Sequence, residues 1–271
     1  MSKRRGATKN NVLSWIKRGD GQGEGLDYKP FLHVRDVPSK GRSAMVDGLK
    51  TRRTHHYLSD IEYGYHILAE YATKVIDIRE QFALLPWEET QLIANSLRIS
   101  HSVFPGTDTP IVMTSDIVLT INGDTRTRLY VLCIKPSSEL DPNNPKLGRT
   151  LEKLLIEKTY WQTRGVPWIL CTEKMLPTIR VRNLDLLRTT MVSRERDWLN
   201  PKLSEFAPWF KLLCTEHLSL NNLLSRASEH FNITVDDAFT LFGRSVWMRL
   251  LPVDLDARII AHEFPVPIKF S

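Results

Sequence analysis

Cysteine is sparse in this 271-residue chain: Cys133, Cys171 and Cys214 are odd in number and far apart. A disulfide framework is therefore not expected, and a reduced compartment is. Long apolar runs are missing as well. No stretch reaches the ~18 consecutive apolar residues that a membrane-spanning helix needs. The basic start, Met1-Ser2-Lys3-Arg4-Arg5, leads into no apolar segment of a signal peptide, so secretion is not expected and a cytoplasmic location is. No glycine-rich phosphate loop of the Walker form occurs, which argues against ATP hydrolysis by the chain itself. No Ser/His/Asp elbow is visible either. What remains, 42% apolar and 25% charged residues, is the composition of an ordinary globular protein. The length fits one large domain or two smaller ones.

The formal charge is +6, and it is unevenly placed. Residues 1–58 hold 13 Lys/Arg against 5 Asp/Glu, a net +8, so the rest of the chain is close to −2. The same stretch has little apolar periodicity and contains Gly19, Gly21, Gly23 and Gly25. It reads as an extended basic arm. Clustered cations suit a polyanion, since each neutralised phosphate releases counterions. Charge alone equally describes a solvated tail. If the arm meets DNA, Lys3, Arg4, Arg5, Arg42, Lys50, Arg52 and Arg53 are the candidate contacts.

From Ser59 onward the pattern becomes regular. Ser59-Asp60-Ile61-Glu62 has the form of a capping box opening a helix to about Tyr71. A strand is expected over 75–82 and a helix over 86–98. Ile111–Ile121 and Thr127–Ile134 read as a hairpin turning at Asn122-Gly123 in a type I′ geometry. A helix follows over about 150–163, with Leu151, Leu154, Leu155 and Trp161 on one face. Residues 166–171 then form a short strand apolar enough to be buried on both faces. The order gives an α/β fold, a mixed sheet flanked by helices. After about 174 the chain is mostly helical. Helices over 218–231 and 234–250 and an extended tail have the order of a winged helix-turn-helix, which many small helical domains share. The expected organisation is an arm over 1–58, a core over 59–174 and a helical domain over 175–271.

Three polar positions stand out. Asp116 interrupts an apolar strand, Lys135 closes its partner, and Glu62 lies in the first turn of the preceding helix. With the turn at Asn122-Gly123, Asp116 pairs near Thr127–Leu129, so Lys135 reaches it only through strand splay or a bulge. A carboxylate and an ammonium at a sheet margin suit phosphodiester hydrolysis: one holds Mg²⁺, the other orients or deprotonates water and offsets charge. The same pair can be a strand-end salt bridge worth about 0–1 kcal/mol. Glu62 can likewise be only a cap. The adjacent imidazoles of His55 and His56 point different ways, so zinc binding is not expected. They suit DNA backbone contacts or packing near the site. Arg79, Glu80 and Gln81 belong either to the lip of an active site or to an edge strand blunted with charge.

The segments Thr54-His55-His56-Tyr57-Leu58-Ser59-Asp60-Ile61-Glu62 and Val75-Ile76-Asp77-Ile78-Arg79-Glu80-Gln81-Phe82-Ala83-Leu84-Leu85-Pro86 resemble the TnsA family. So do Met113-Thr114-Ser115-Asp116, Ile134-Lys135-Pro136, Arg149-Thr150-Leu151-Glu152-Lys153-Leu154 and Tyr160-Trp161, in order and at matching intervals over roughly 20–175. The resemblance implies a restriction-endonuclease-like core that cuts the 5′ ends of a transposon in double-stranded DNA, in the bacterial nucleoid. It works beside TnsB, an integrase-type transposase for the 3′ ends, and TnsC, an AAA+ regulator. By position, the resemblance makes Glu62 and Asp116 the metal carboxylates and Lys135 the catalytic lysine. Mg²⁺ is the implied ion, with Mn²⁺ able to substitute. Cys133 departs from the pattern, which has an oxygen-bearing side chain there, and a thiol suits hard Mg²⁺ poorly. The Ile134 carbonyl then serves as the further metal ligand, with Gln81, Cys133 and Glu157 in supporting positions. Cys133 also favours a rival reading, a non-catalytic nuclease-fold adaptor that binds DNA. The apolar tail His262–Phe270 is expected to dock on the AAA+ regulator.

Overall fold

The computed structural model describes residues 6–36, 42–214 and 218–269. It divides into two compact units, Met1–Leu176 and Pro177–Ser271. None of the described helices is long and apolar enough to cross a membrane.

In the first unit, α1 (Lys9–Lys17) is followed by a small antiparallel pair, β1 (Ala44–Asp47) and β2 (Thr54–Tyr57). Then come α2 (Asp60–Tyr71), β3 (Val75–Ala83), α3 (Trp87–Ser96), β4 (Thr114–Asn122), β5 (Thr127–Ile134), α4 (Leu147–Gln162) and β6 (Trp168–Cys171). The main sheet has the order β3-β4-β5-β6, antiparallel except for the parallel β5–β6 pair. One apolar cluster joins α2 residues Tyr65 and Ala69 to Ile78, Ile117 and Leu119. A second joins Ile93, Ile156, Tyr160 and Trp161 of α3 and α4 to Val118 and Val131. The expected mixed sheet flanked by helices is what forms.

The described part of the basic stretch is not an extended arm. Val12, Tyr28 and Phe31 are 0%, 3% and 1% exposed, and Val12 and Phe31 pack with Ala83, Trp87, Phe104 and Val112. Burial of side chains of this size stabilises the attachment by about 1.5–3 kcal/mol each. The glycines serve that packing. Gly21, at φ +74, lies so close to β3 that a Cβ would sit 2.3 Å from the Ala83 Cβ. Gly23, at φ +94, would place one 2.6 Å from the Asp27 carbonyl. They are left-handed turns against a strand, where only glycine fits without strain.

Three expectations of detail are corrected. The hairpin loop is 123–126, with Asn122 opposite Thr127 and neither Asn122 nor Gly123 at positive φ. A two-residue turn would set Ile117 against Arg128; the observed register sets Ile117 against Leu132 and Val118 against Val131, both valines fully buried. Matching apolar faces outweighs the local turn preference. On α4, Leu151 and Leu155 are 48% and 43% exposed, because the buried stripe runs through Leu154, Glu157, Tyr160 and Trp161. Strand β6 is the sheet edge, and Ile169 is exposed rather than buried on both faces.

The second unit contains α5 (Thr178–Val192), α6 (Leu203–Leu213), α7 (Leu220–Phe231) and α8 (Val235–Trp247). Asn232 ends α7 in the left-handed region at φ 49, and Thr234 caps α8 in a reciprocal box with Asp237. The buried α8 approaches α5 at Gly243, where a Cβ would lie 2.5 Å from the Thr190 side chain. The tail forms single bridges, Ser219 with Pro265 and Val253 with Ile268, and no strand among the described residues. It is also not free to dock elsewhere as a loose segment. Phe264 and His262 carbonyls accept the Leu220 and Asn221 N–H groups, each at 2.9 Å. Those are first-turn donors of α7 that have no partner within the helix.

Candidate active site

The β4–β5 ladder ends at Ile117 opposite Leu132. Asp116 is the next residue, and its carboxylate takes over from the ladder. Oδ2 accepts the Ile134 N–H at 2.6 Å and the Lys135 ammonium at 2.9 Å. Lys135 Nζ also donates to the Ile134 carbonyl at 2.9 Å. The Lys135 backbone is fixed from the other side by the Cys171 carbonyl at the end of β6, 3.0 Å away. The corrected register brings the two residues close, and the strands leave the regular ladder at Asp116, as the expected distortion requires.

Glu62 arrives from α2. Ser59 caps that helix by accepting the Glu62 N–H at 3.2 Å. The Glu62 side chain does not close the expected box onto the Ser59 backbone. It accepts from the Leu58 N–H and the Ser59 hydroxyl, each at 3.0 Å, and from the Gln81 amide at 3.4 Å. Burial and the nearby Asp116 charge push its carboxyl up to about 7.

Gln81 is what joins the two. By the β3–β4 register it lies between Glu80, opposite Ile117, and Phe82, opposite Ser115, and so faces Asp116. Its φ is 48, a left-handed conformation costing a non-glycine residue about 1–3 kcal/mol. Alternation breaks on both strands here. Ile78 packs under α2, yet Phe82, four residues on, packs against Trp161 of α4 with ring centroids 5.6 Å apart. Ile117 packs under α2, yet Ser115 bonds to α4, donating to Glu157 at 2.7 Å and accepting from the Trp161 indole at 2.8 Å. The sheet exchanges faces at Gln81 and Asp116, and the polar groups collect at that discontinuity.

The charge states follow from position. Burial alone would lower the Lys135 pKa, but the adjoining Asp116 carboxylate raises it, so the amine stays an ammonium. Burial first, then Asp116, raises Glu157. Cys133 is fully buried, and burial together with Glu157 and Asp116 pushes its thiol far above the usual range. Burial thus favours the neutral thiol at Cys133.

The candidate DNA contacts divide differently from expectation. Arg53 is a correction: its side chain is 7% exposed and makes a two-pronged pair with buried Glu80, at 2.8 and 2.7 Å. A guanidinium spent on an internal carboxylate offers nothing to a phosphate. Lys50 donates to the Ala72 carbonyl at the C-terminal end of α2 and to the Val75 carbonyl at the start of β3, and is committed to the fold. Arg42 is exposed and pairs with Asp60 at 3.1 Å, and Arg52 is exposed. Lys3, Arg4 and Arg5 lie outside the described residues. His55 is buried between Thr51 and Glu80, 2.7 Å from each, so it packs inside rather than touching DNA. Arg79 bonds to Thr120 and adjoins Asp77, whose carboxylate accepts the Gly25 N–H, so of the polar run on β3 only Gln81 reaches the site. The sequence reading missed Ser115 and Trp161. The signal that could have found them is a serine and an indole among apolar positions, both needing buried partners.

Residues 72–173 match the family model of the TnsA-like endonuclease N-terminal domain. Over 183 residues the chain is 40% identical to the Tn7 transposition protein TnsA of Escherichia coli, an alignment that spans 66% of this chain and 64% of that protein. The chain thus spans somewhat less than two thirds of the relative it matches. Asp116, Ile134, Lys135 and Glu157 fall inside the matched domain, and Glu62 stands ahead of it.

Proposed function

With its nuclease part of the TnsA family, we propose that this chain is a divalent-metal-dependent DNA endonuclease that cuts the 5′ ends of a transposon. In this reading it works with a TnsB-type transposase and a TnsC-type AAA+ regulator. The observation that supports the chemistry is the Lys135 ammonium held between Asp116 Oδ2 and the Ile134 carbonyl, with Glu62 brought to the same place by α2.

The residues fit Mg²⁺. The donors are hard oxygens, from Asp116, Glu62 and the Ile134 carbonyl, and the Lys135 ammonium already stands as a cation between two of them. Among the described residues no group of three or more His, Cys, Asp or Glu side chains is placed to hold a metal ion, so in this reading the backbone carbonyl and waters would complete its shell. Mn²⁺ takes the same donors. When bound, the ion would supply Lewis-acid polarisation of the phosphoryl group and a water of lowered pKa. The chain does the rest. Asp116 of β4 is fixed by the Ile134 N–H at the end of β5, and Glu62, whose carboxyl is raised by burial and Asp116, would hold the ion as a carboxylate. Lys135 keeps its proton beside Asp116 and so acts as a positive charge facing the phosphate rather than as a base. Glu157 is anchored by the Ser115 hydroxyl, which also accepts the Trp161 indole N–H, and so is held on the α4 side of the site.

The test is product structure in a reconstituted transposition reaction. Asp116→Ala and Lys135→Ala are expected to abolish 5′-strand nicking and leave 3′-end joining by the partner, giving cointegrates. Retained 5′ cleavage in both variants would sink the assignment. The non-catalytic adaptor, which Cys133 favours, requires instead that Asp116→Ala leave the products unchanged.

A further inference from the structure

The end of α1 and residues 28–36 enclose a cavity of about 430 Å³, lined by Trp15, Arg18, Lys29, His33 and Arg35. Two carboxylates share its wall, and both are engaged within it. Asp20, 4% exposed, takes the Arg18 guanidinium on both oxygens. Asp36 accepts the His33 N–H at 3.2 Å and lies 3.2 Å from its Nδ1. Lys29 and Arg35 are exposed, and among the described residues neither is paired with a carboxylate. Lys29 has one long contact, 3.4 Å, to the Arg18 carbonyl. Arg18 leaves 60% of its side chain exposed despite its pairing. The cavity thus carries cations in excess beside an indole and an imidazole.

Its position matters as much as its charge. The Phe31 N–H donates to the Gln81 carbonyl at 3.1 Å, and the Gln81 amide reaches Glu62. His33 is two residues further on. At no more than ~3.6 Å per residue, the cavity wall lies within roughly 10 Å of the strand that carries Gln81. Successive phosphates of one DNA strand advance by about 3.4 Å along the axis. A strand in the active site therefore brings another phosphate to the cavity within a few nucleotides.

We propose that this cavity is a second anchor for the substrate strand, in which Lys29 and Arg35, supported by Arg18, hold a backbone phosphate of DNA near the scissile bond. The proposal rests on the nuclease reading and names a contact that reading does not include. It also moves the DNA-facing charge of the N-terminal stretch away from Lys50 and Arg53.

The experiment measures binding of the full chain to a fluorescein-labelled DNA duplex in EDTA over a range of salt. Wild type is compared with Lys29→Ala/Arg35→Ala and with Asp116→Ala, and thermal melts confirm that all three are folded. The slope of log affinity against log salt is expected to flatten in the double variant. The change is about 0.9 if the two side chains share one phosphate and about 1.8 if each holds its own. Asp116→Ala should keep the salt slope in EDTA and, assayed separately with Mg²⁺ in the reconstituted transposition reaction, should lose nicking. A double variant with wild-type slope and affinity overturns the cavity alone and leaves the nuclease reading standing. Wild-type protein that does not bind the duplex overturns the anchor, while the nuclease reading is judged by the strand products of the reconstituted reaction. Flattening reproduced by Arg35→Glu, with inorganic phosphate at the same ionic strength failing to compete, supports a strand contact rather than a free-phosphate site.

Discussion

Replacing Arg53 with alanine separates the folded role of this residue from the DNA contact that its sequence position suggests. Glu80 is fully buried and receives both Arg53 amino groups, the His56 N–H at 3.1 Å and a contact from His55. Truncating one partner of a buried ion pair costs about 3–5 kcal/mol. Because His55 and the His56 N–H remain with Glu80, the expected loss is at the low end, about 3 kcal/mol. For a urea m value of about 2 kcal/mol/M, the midpoint of the first unit falls by about 1.5 M. Arg53→Lys should recover only part of this, since an ammonium cannot make the two-pronged contact. The pH dependence has a defined sign. Burial alone would raise the Glu80 pKa, but Arg53 and His55 hold it well below the ordinary range. The stability it contributes is therefore full above the unfolded carboxylate pKa of about 4.3 and is lost as pH falls below that. Urea titrations at pH 7 and pH 3 on wild type and Arg53→Ala give both quantities. An unchanged midpoint at pH 7 together with weakened DNA binding would refute the reasoning and restore Arg53 as a phosphate contact.

Other substitutions test the remaining structural claims. Gln81→Gly should be more stable than Gln81→Ala by about 1 kcal/mol, because only glycine adopts positive φ without strain; equal melting temperatures would deny the left-handed backbone. Gly243→Ala should destabilise the second unit by about 1–3 kcal/mol through overpacking against Thr190. Thr190→Ala should rescue it in the double variant, as a calorimetric cycle would show. Deleting residues 262–271 should lower the melting temperature of the second unit by exposing the first turn of α7. A truncated chain with unaltered melting and helicity would return the tail to the role of a loose docking segment.

Local signals carried much of the fold into the sequence. The Ser59 cap, the β-branched run of β3 and the Thr234 cap each act within a few residues, and each element forms where those signals place it. The losses came where distant packing outweighed a local preference. Asn122-Gly123 is a strong turn signal, yet the burial of Val131 moved the hairpin register by four residues. That shift also brings Asp116 and Lys135 closer together than the expected turn would. Glu157 was legible as a supporting residue, but its burial in the α4 stripe was not, because that depends on its partner Ser115 across the sheet. Gln81 was legible as a supporting residue at the site, but its left-handed backbone was not, since nothing in a glutamine announces positive φ.

The basic stretch shows why counting charge is a poor guide to available charge. Its net +8 is a property of composition, whereas a phosphate responds to cations that have no internal partner. Arg53 neutralises Glu80, and Lys50 satisfies one carbonyl at the end of α2 and one at the start of β3, so two of the expected contacts are withdrawn by folding. The glycine run that looked like slack brings residues 28–36 against β3, and Lys29 and Arg35 are left facing solvent beside the active-site strand. Folding thus converts an apparent tail into a wall of the first unit. It follows that charge reversal along this stretch should act unevenly. Reversal at Lys29 or Arg35 should weaken DNA binding with the melting temperature preserved, while reversal at Arg53 should unfold the unit. If all three behaved alike, as on a solvated tail, the folded wall would be the wrong picture.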